Sequence, residues 1–214
     1  MALSKVALFG GSFDPVHLAH LSLARCALDQ LRLDRLLWLP AGRPWQKLEA
    51  GDGRGLASPE HRRAMVALMV ASEPRFEVDD SELERDGASY TIDTVRARQA
   101  AHPHEQLFLL IGQDQYARLH TWREWQALLG LVTLAVAARA DQPVHASPEV
   151  HAVVHKKVVV QMPASLISST RVREAASRGQ DIRPMVGDAV AGYIAQHRLY
   201  GAPGPTEREL NGHS

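Results

Sequence analysis

Val6-Ala7-Leu8-Phe9-Gly10-Gly11-Ser12-Phe13-Asp14-Pro15-Val16-His17-Leu18-Ala19-His20 changes character twice within a few residues. An apolar run stops at two glycines, turns through Asp-Pro, and reopens with two histidines three residues apart. This pattern reads as strand, tight turn, then helix start. Glycine lets a backbone approach a ligand closely, and a helix N-terminus offers free N–H groups to an anion. Histidines at i and i+3 share one helical face. The stretch therefore predicts a phosphate site with imidazoles over it.

The chain around it sets limits. With 214 residues, 45% hydrophobic and 22% charged, an ordinary globular core is expected. A formal net charge of zero argues against a broad nucleic-acid or membrane footprint, so phosphate recognition has to be local. The single cysteine, Cys26, excludes an intrachain disulfide framework and any multi-cysteine zinc site. Its place in a helical pattern beside Leu23, Ala24 and Ala27 predicts a buried, inert thiol. The N-terminal apolar run is too short for a signal peptide, and no run reaches transmembrane length. A cytoplasmic location is the expectation.

Along the chain, strand patterns cover Lys5 to Phe9, Arg35 to Leu39, Phe76 to Val78, Leu107 to Ile111, Leu131 to Ala137 and Val153 to Val160. Helices are predicted at Leu18 to Leu31, from Pro59 to about Ser72 with Met65, Leu68 and Met69 buried, and from Ile92 to Ala101. Others are expected around Tyr116, from Trp122 to Leu129, from Ile167, and from Val186 to His197. Ser58-Pro59-Glu60 is a helix start, with an N-cap, a proline at N1 and an early acid. Pro40 to Ala57 carries two prolines, several glycines, Arg43, Trp45 and Lys47, and reads as a loop long enough to be a lid. It follows a strand end, where ligands bind in such folds. Alternating strands and helices imply a parallel sheet covered on both faces. Residues 1–201 read as one domain, and 202–214 as a polar, disordered tail.

The second informative stretch is Ile167-Ser168-Ser169-Thr170-Arg171-Val172-Arg173. Two cations near a helix N-terminus oppose its dipole unless an anion sits there. No Walker-type lysine motif is present, and Gly10-Gly11 lacks the spacing of a dinucleotide fingerprint. A zinc reading of His17-x-x-His20 needs a third ligand, for which His61, His102, His104 and His120 are available in unrelated contexts.

Both stretches match a family. Gly11 to His20 resembles the G-[ST]-F-D-P-x-H-x-G-H signature of the nucleotidyltransferases, and Ile167 to Arg173 resembles their second signature, I-S-x-T-x-x-R. Three further stretches resemble nicotinate-nucleotide adenylyltransferase: Ser89-Tyr90-Thr91, Ile111-Gly112-Gln113-Asp114 and Thr121-Trp122-Arg123-Glu124-Trp125. The resemblance extends from about Lys5 to Tyr200. Together with the alternating elements it implies an α/β, Rossmann-like doubly wound parallel sheet, helices on both faces, and a small C-terminal helical portion.

The resemblance implies transfer of AMP from ATP to nicotinate mononucleotide, giving deamido-NAD and pyrophosphate. His17 and His20 are then hydrogen-bond donors to the ATP phosphates. Gly10, Gly11, Ser12 and Phe13 form the phosphate turn, with Ile167, Ser168, Ser169 and Thr170 opposite. Arg173 and Lys47 are the cations on the leaving pyrophosphate. Mg²⁺ is expected through the ATP phosphates, with no protein metal motif. On the acceptor side, Trp122 is expected to stack on the pyridine ring. Backbone N–H groups near Thr91 and at a Trp122 helix start are expected to hold the carboxylate, and Asp114 to accept from a ribose hydroxyl. Two departures stand out: Ala19 replaces the glycine between the histidines, and Pro44-Trp45-Gln46-Lys47 lacks the histidine of P-P-H-[KR]. Other acceptors (nicotinamide mononucleotide, phosphopantetheine) and a non-catalytic nucleotide-binding regulator are the competing expectations.

Overall fold

The computed structural model describes residues 3–42, 56–85, 87–139 and 143–201. Six strands form its sheet: β1 (Ser4–Gly11), β2 (Arg35–Pro40), β3 (Phe76–Val78), β4 (Glu105–Gly112), β5 (Thr133–Arg139) and β6 (Lys157–Met162). Their order is β3-β2-β1-β4-β5-β6, with every pairing parallel. Parallel neighbours need crossover helices, so such strands are covered on both faces and read as continuous apolar runs. Leu107 to Ile111 of β4 is such a run, and all of it is buried.

Alternation along the strands assigns the faces. Ala7, Phe9, Leu36, Trp38, Phe108 and Leu110 point into one core, shared with α1 (Leu18–Leu31), α2 (Pro59–Val70), α7 (Ser169–Ser177), α8 (Arg183–Val186) and α9 (Asp188–Gln196). Val6, Leu8, Leu37, Leu39, Leu107 and Leu109 point into the other. That core is covered by α3 (Thr91–Ala101), α4 (Gln113–Ala117), α5 (Trp125–Leu131) and α6 (Pro148–His151). The doubly wound architecture is thus present. The chain leaves β1 towards β2 and β3, then returns to β4 and proceeds the other way. The carboxyl ends of β1 and β4 lie side by side at this reversal, which is where a crevice forms.

Several local expectations are corrected. Leu68 is 40% exposed, and Arg62 takes a place on the buried face of α2 with Met65, Val66 and Met69. The helix expected from Trp122 begins at Trp125, because Trp122 is extended (φ −80, ψ 147) and Glu124 is left-handed (φ 49). The strand expected from Val153 begins at Lys157. The Val153 carbonyl is bound locally by His155 Nδ1 at 2.7 Å, and Val154 is fully exposed. The last helix is split at Gly187, whose φ of 78 suits glycine. Cys26 is partly, not fully, buried. The expected lid falls mainly on residues outside those described, as does the 202–214 tail. Among the described residues no helix is long and apolar enough to cross a membrane.

Gly42, just beyond β2, is fixed by close packing. A Cβ there would lie 2.3 Å from the backbone oxygen of Glu82. Backbone cannot rotate away as a side chain can, so Gly42→Ala should destabilise by about 1–3 kcal/mol, the usual cost of overpacking. Urea unfolding of this variant and the parent measures it; an unchanged midpoint would refute the contact.

Candidate active site

The second of the two glycines that end β1 is required by what folds over it. Phe13 adopts a left-handed backbone (φ 46), which costs a bulky residue on the order of 1–3 kcal/mol. Burial offsets that cost: the ring is 2% exposed and meets Phe9 edge-on, with centroids 5.5 Å apart. A Cβ at Gly11 would sit 3.0 Å from the same ring, so Phe13 requires glycine there. At Gly10 a Cβ would meet nothing within 4 Å. It borders a cavity of about 410 Å³ that is also lined by Ser12, His20, Gly112, Trp122 and Ser169.

His17 precedes α1 in an extended conformation (φ −148, ψ 168), and its N–H donates to His20 Nδ1 at 3.2 Å. The proton of a neutral His20 therefore lies on Nε2. The two rings stack with centroids 3.6 Å apart and planes 18° from parallel. Phe13 closes edge-on against His20, at 5.2 Å. Burial drives the His17 pKa down to about 4. Burial, with His17 adding repulsion, also holds His20 well below the ordinary histidine value. Both imidazoles are neutral near pH 7. His20 thus presents an uncharged N–H at the cavity wall, while the buried His17 Nδ1 has no hydrogen-bond partner among the described residues.

The second signature is bonded to the first. Ser168 caps α7 by accepting from the Arg171 N–H at 3.3 Å. Ser169 Oγ donates to the Pro15 carbonyl at 3.0 Å, and Arg173 Nη1 donates to the Asp14 carbonyl at 2.7 Å. Arg173 Nη1 also lies 3.7 Å from Asp14 Oδ2. Arg171 Nη1 reaches the Leu166 carbonyl at 2.9 Å. Protein oxygens thus already relieve part of the conflict between these arginines and the helix dipole. Ile167, Ser168 and Thr170 flank this junction. Ala19 lies in the first turn of α1, which continues without a break, and its methyl is not among the cavity walls.

Opposite this junction, Thr91 opens α3 and lines the cavity with Ser89, Glu82 and Trp122. Trp122 is half-buried, and its Nε1 has no hydrogen-bond partner among the described residues. Its backbone N–H donates to Leu119 at 2.9 Å, so the expected free amide at a Trp122 helix start is absent. Arg123 lies over the Tyr90 ring, 4.7 Å from its centroid. Asp114 is exposed in the first turn of α4, outside the cavity lining but two residues beyond Gly112. Lys47 lies outside the described residues.

Four further residues, none singled out in the sequence, stand at or beside the cavity. Asp14 is completely buried; its Oδ1 accepts from the Ala57 N–H at 3.0 Å and from Tyr200 Oη at 2.8 Å. Arg62, 1% exposed, donates to the Ser12, Ala57 and Gly42 carbonyls at 2.8, 3.1 and 3.2 Å. One signal for Arg62 existed: it occupies an apolar position in the 62, 65, 66, 69 helical spacing. Glu82 is buried at the cavity wall, where it accepts from Thr94 Oγ1 at 2.9 Å; burial pushes its pKa up. Tyr200 carried no sequence signal at all. Among the described residues no group of three or more His, Cys, Asp or Glu side chains could hold a metal ion, so the histidine pair gains no third zinc ligand there.

The lowered histidine pKa values carry a stability consequence. Between about pH 4 and 6.5 the unfolded chain binds more protons than the native one at His17, so native stability falls as pH is lowered through that window. The full shift is worth roughly 3 kcal/mol. Urea midpoints measured from pH 7.5 to 4.5 should therefore fall less steeply for His17→Gln than for the parent. Identical slopes would contradict a neutral, buried His17.

Comparison with known proteins identifies the family. The cytidylyltransferase-like family model matches residues 8–175, from β1 into α7. A probable nicotinate-nucleotide adenylyltransferase of Methylibium petroleiphilum is 44% identical over 203 residues, covering 93% of each chain. One from Bordetella petrii is also 44% identical, covering 92% of this chain and all of its own. Among solved structures, a Plasmodium falciparum nicotinic acid mononucleotide adenylyltransferase complexed with APC superposes with a TM-score of 0.75 at 17% identity. It covers 94% of this chain and 98% of its own, and supports the fold. With near-complete coverage by such relatives, and both signatures joined around one cavity, the chain belongs to the nicotinate-nucleotide adenylyltransferase family.

Proposed function

We propose that this chain transfers the adenylyl group of ATP to nicotinate mononucleotide, releasing pyrophosphate and forming deamido-NAD. The observation that carries the reading is one cavity at the β1–β4 reversal. It brings the Gly10-Gly11 turn, His20 and the α7 start to one side, and Thr91 and Trp122 to the other. The curated relatives at 44% identity bear the corresponding name.

In this reaction an oxygen of the acceptor 5′-phosphate attacks the α-phosphorus of ATP. The bond from that phosphorus to the bridging α–β oxygen breaks, and pyrophosphate leaves with the electron pair. The nucleophile is already an anion, so no protein base or covalent intermediate is needed; placement and charge stabilisation suffice. His20 Nε2–H is suited to an α-phosphate oxygen, with His17 stacked behind it to hold the ring. Gly10 admits the backbone, and Ser12 supplies a donor. Arg173, fixed at Nη1 by Asp14, is the cation for the departing pyrophosphate, with Lys47 as its expected partner.

Magnesium fits as a partner of the nucleotide rather than of the chain. Asp14, the carboxylate in the phosphate turn, already faces the Ala57 N–H, Tyr200 and Arg173, and the imidazoles donate rather than accept towards phosphate. When bound through the ATP phosphates, the ion would neutralise charge on them. On the acceptor side, Trp122 supplies a ring for stacking and the N-terminus of α3 supplies donors for a carboxylate. Such donors favour the acid over the corresponding amide. Asp114, near the Gly112 end of the cavity, is the proposed acceptor for a ribose hydroxyl.

Purified protein supplied with ATP, Mg²⁺ and each acceptor in turn, with pyrophosphate release followed, tests the assignment. Nicotinate mononucleotide should outpace the amide form by about 10-fold or more, as expected where polar groups of a site are left unpaired. Equal rates, turnover only with phosphopantetheine, or no turnover at all would overturn it. His20→Ala should lower kcat by roughly 10²-fold, the scale for losing one transition-state donor. Full activity in a folded His20→Ala protein would remove this residue from the mechanism.

A further inference from the structure

Tyr200 lies almost at the end of the described chain, yet its hydroxyl donates to Asp14 Oδ1 at 2.8 Å, deep in the phosphate turn. Three observations set it apart from an ordinary packing residue. Its backbone is left-handed (φ 58, ψ 25), a conformation that suits glycine, and a glycine follows immediately at Gly201. A chain that only had to turn there could have done so without a tyrosine. Its partner Asp14 is completely buried and uses Oδ1 for two donors, while Oδ2 has no hydrogen bond among the described residues and faces Arg173 Nη1 at 3.7 Å. Finally, burial and the negative charge of Asp14 both keep the phenol protonated, so it stays a donor.

Among the described residues Arg173 is held firmly at one nitrogen and loosely at the other. Nη1 donates to the Asp14 carbonyl oxygen at 2.7 Å, while Nη2 has a long contact of 3.4 Å with Thr170 Oγ1. The position of the guanidinium therefore follows residue 14, through both its backbone oxygen and its carboxylate. Asp14 in turn is held by Ala57 N–H and Tyr200. Removal of the phenolic hydroxyl leaves Oδ1 with a single donor and frees the buried carboxylate to turn towards the guanidinium.

We propose that Tyr200 is a positioning residue for the phosphate half of the site, acting through Asp14 to hold Arg173 with its free edge towards the leaving pyrophosphate. The proposal rests on Arg173 as the pyrophosphate cation, and its test does not depend on which acceptor the enzyme uses.

Tyr200→Phe keeps the ring and removes one oxygen. Per folded molecule, its affinity for inorganic pyrophosphate with Mg²⁺ should fall about 3- to 10-fold, the scale of one ordinary net hydrogen bond, since the effect reaches the ligand only through Asp14 and Arg173. In turnover with ATP and nicotinate mononucleotide, kcat should fall by a similar factor, with the acceptor KM changed less than twofold. The deciding measurement is a double-mutant cycle on pyrophosphate binding: in an Arg173→Ala background the Tyr200→Phe effect should vanish. If Tyr200→Phe lowers only the melting temperature, or weakens pyrophosphate equally with and without Arg173, the proposal is wrong. The pyrophosphate measurement stands even if nicotinate mononucleotide proves not to be the acceptor, so the two failures are distinguishable.

Discussion

A fully buried carboxylate organises this structure. Removing a charge from water is expensive, and proteins tolerate it only where partners are supplied in good geometry. Asp14 receives a backbone N–H from Ala57, a phenol from Tyr200 and an arginine from α7, while Arg62 lies nearby, bonded to three carbonyls around the same turn. Those contributors come from the start of α2, from α7 and from the end of the described chain. Leaving the charge unpaired would be costly, so these elements are held in fixed relation to the glycine turn. The turn that borders the cavity is thus anchored on a buried electrostatic foundation.

The sheet supplies the second constraint. The reversal of strand order between β1 and β4 places two glycine-ended strands side by side, Gly10-Gly11 on one and Gly112 on the other. Neither end carries a side chain into the crevice, so the donors that border it come from the following turn and helices. The cavity walls consequently come from separate parts of the chain, one set from β1, α1 and α7, the other from α3 and the turn before α5.

Much of this was legible. Apolar runs ending in glycine located β1 and β4, and the two signatures singled out two stretches that the structure bonds together beside the cavity, because they depend on local backbone chemistry. The sequence was least informative where long-range partners decide. The β-branched run from Val153 looks like strand throughout, but only Lys157 onward pairs with β5, and Val154 stays in water. Trp122 looks like a helix start, yet its amide is already spent on Leu119. Asp14 reads as a turn former, and nothing local reveals that it is buried. Tyr200 is distant in sequence from every motif, and it meets Asp14 only through a contact across nearly the whole chain. Arg62 was readable in principle, as a cation on an apolar helical face.

The stacked histidines have a consequence for what the site can distinguish. As neutral donors they add directed N–H groups without adding charge, so they contribute little to attracting anions from a distance. In the proposed reaction, recognition at the imidazoles would therefore be angular rather than coulombic. It would favour a phosphorus centre whose oxygens fall on the Nε2–H direction of His20, and the imidazoles themselves would not hold the product by charge once that alignment is lost.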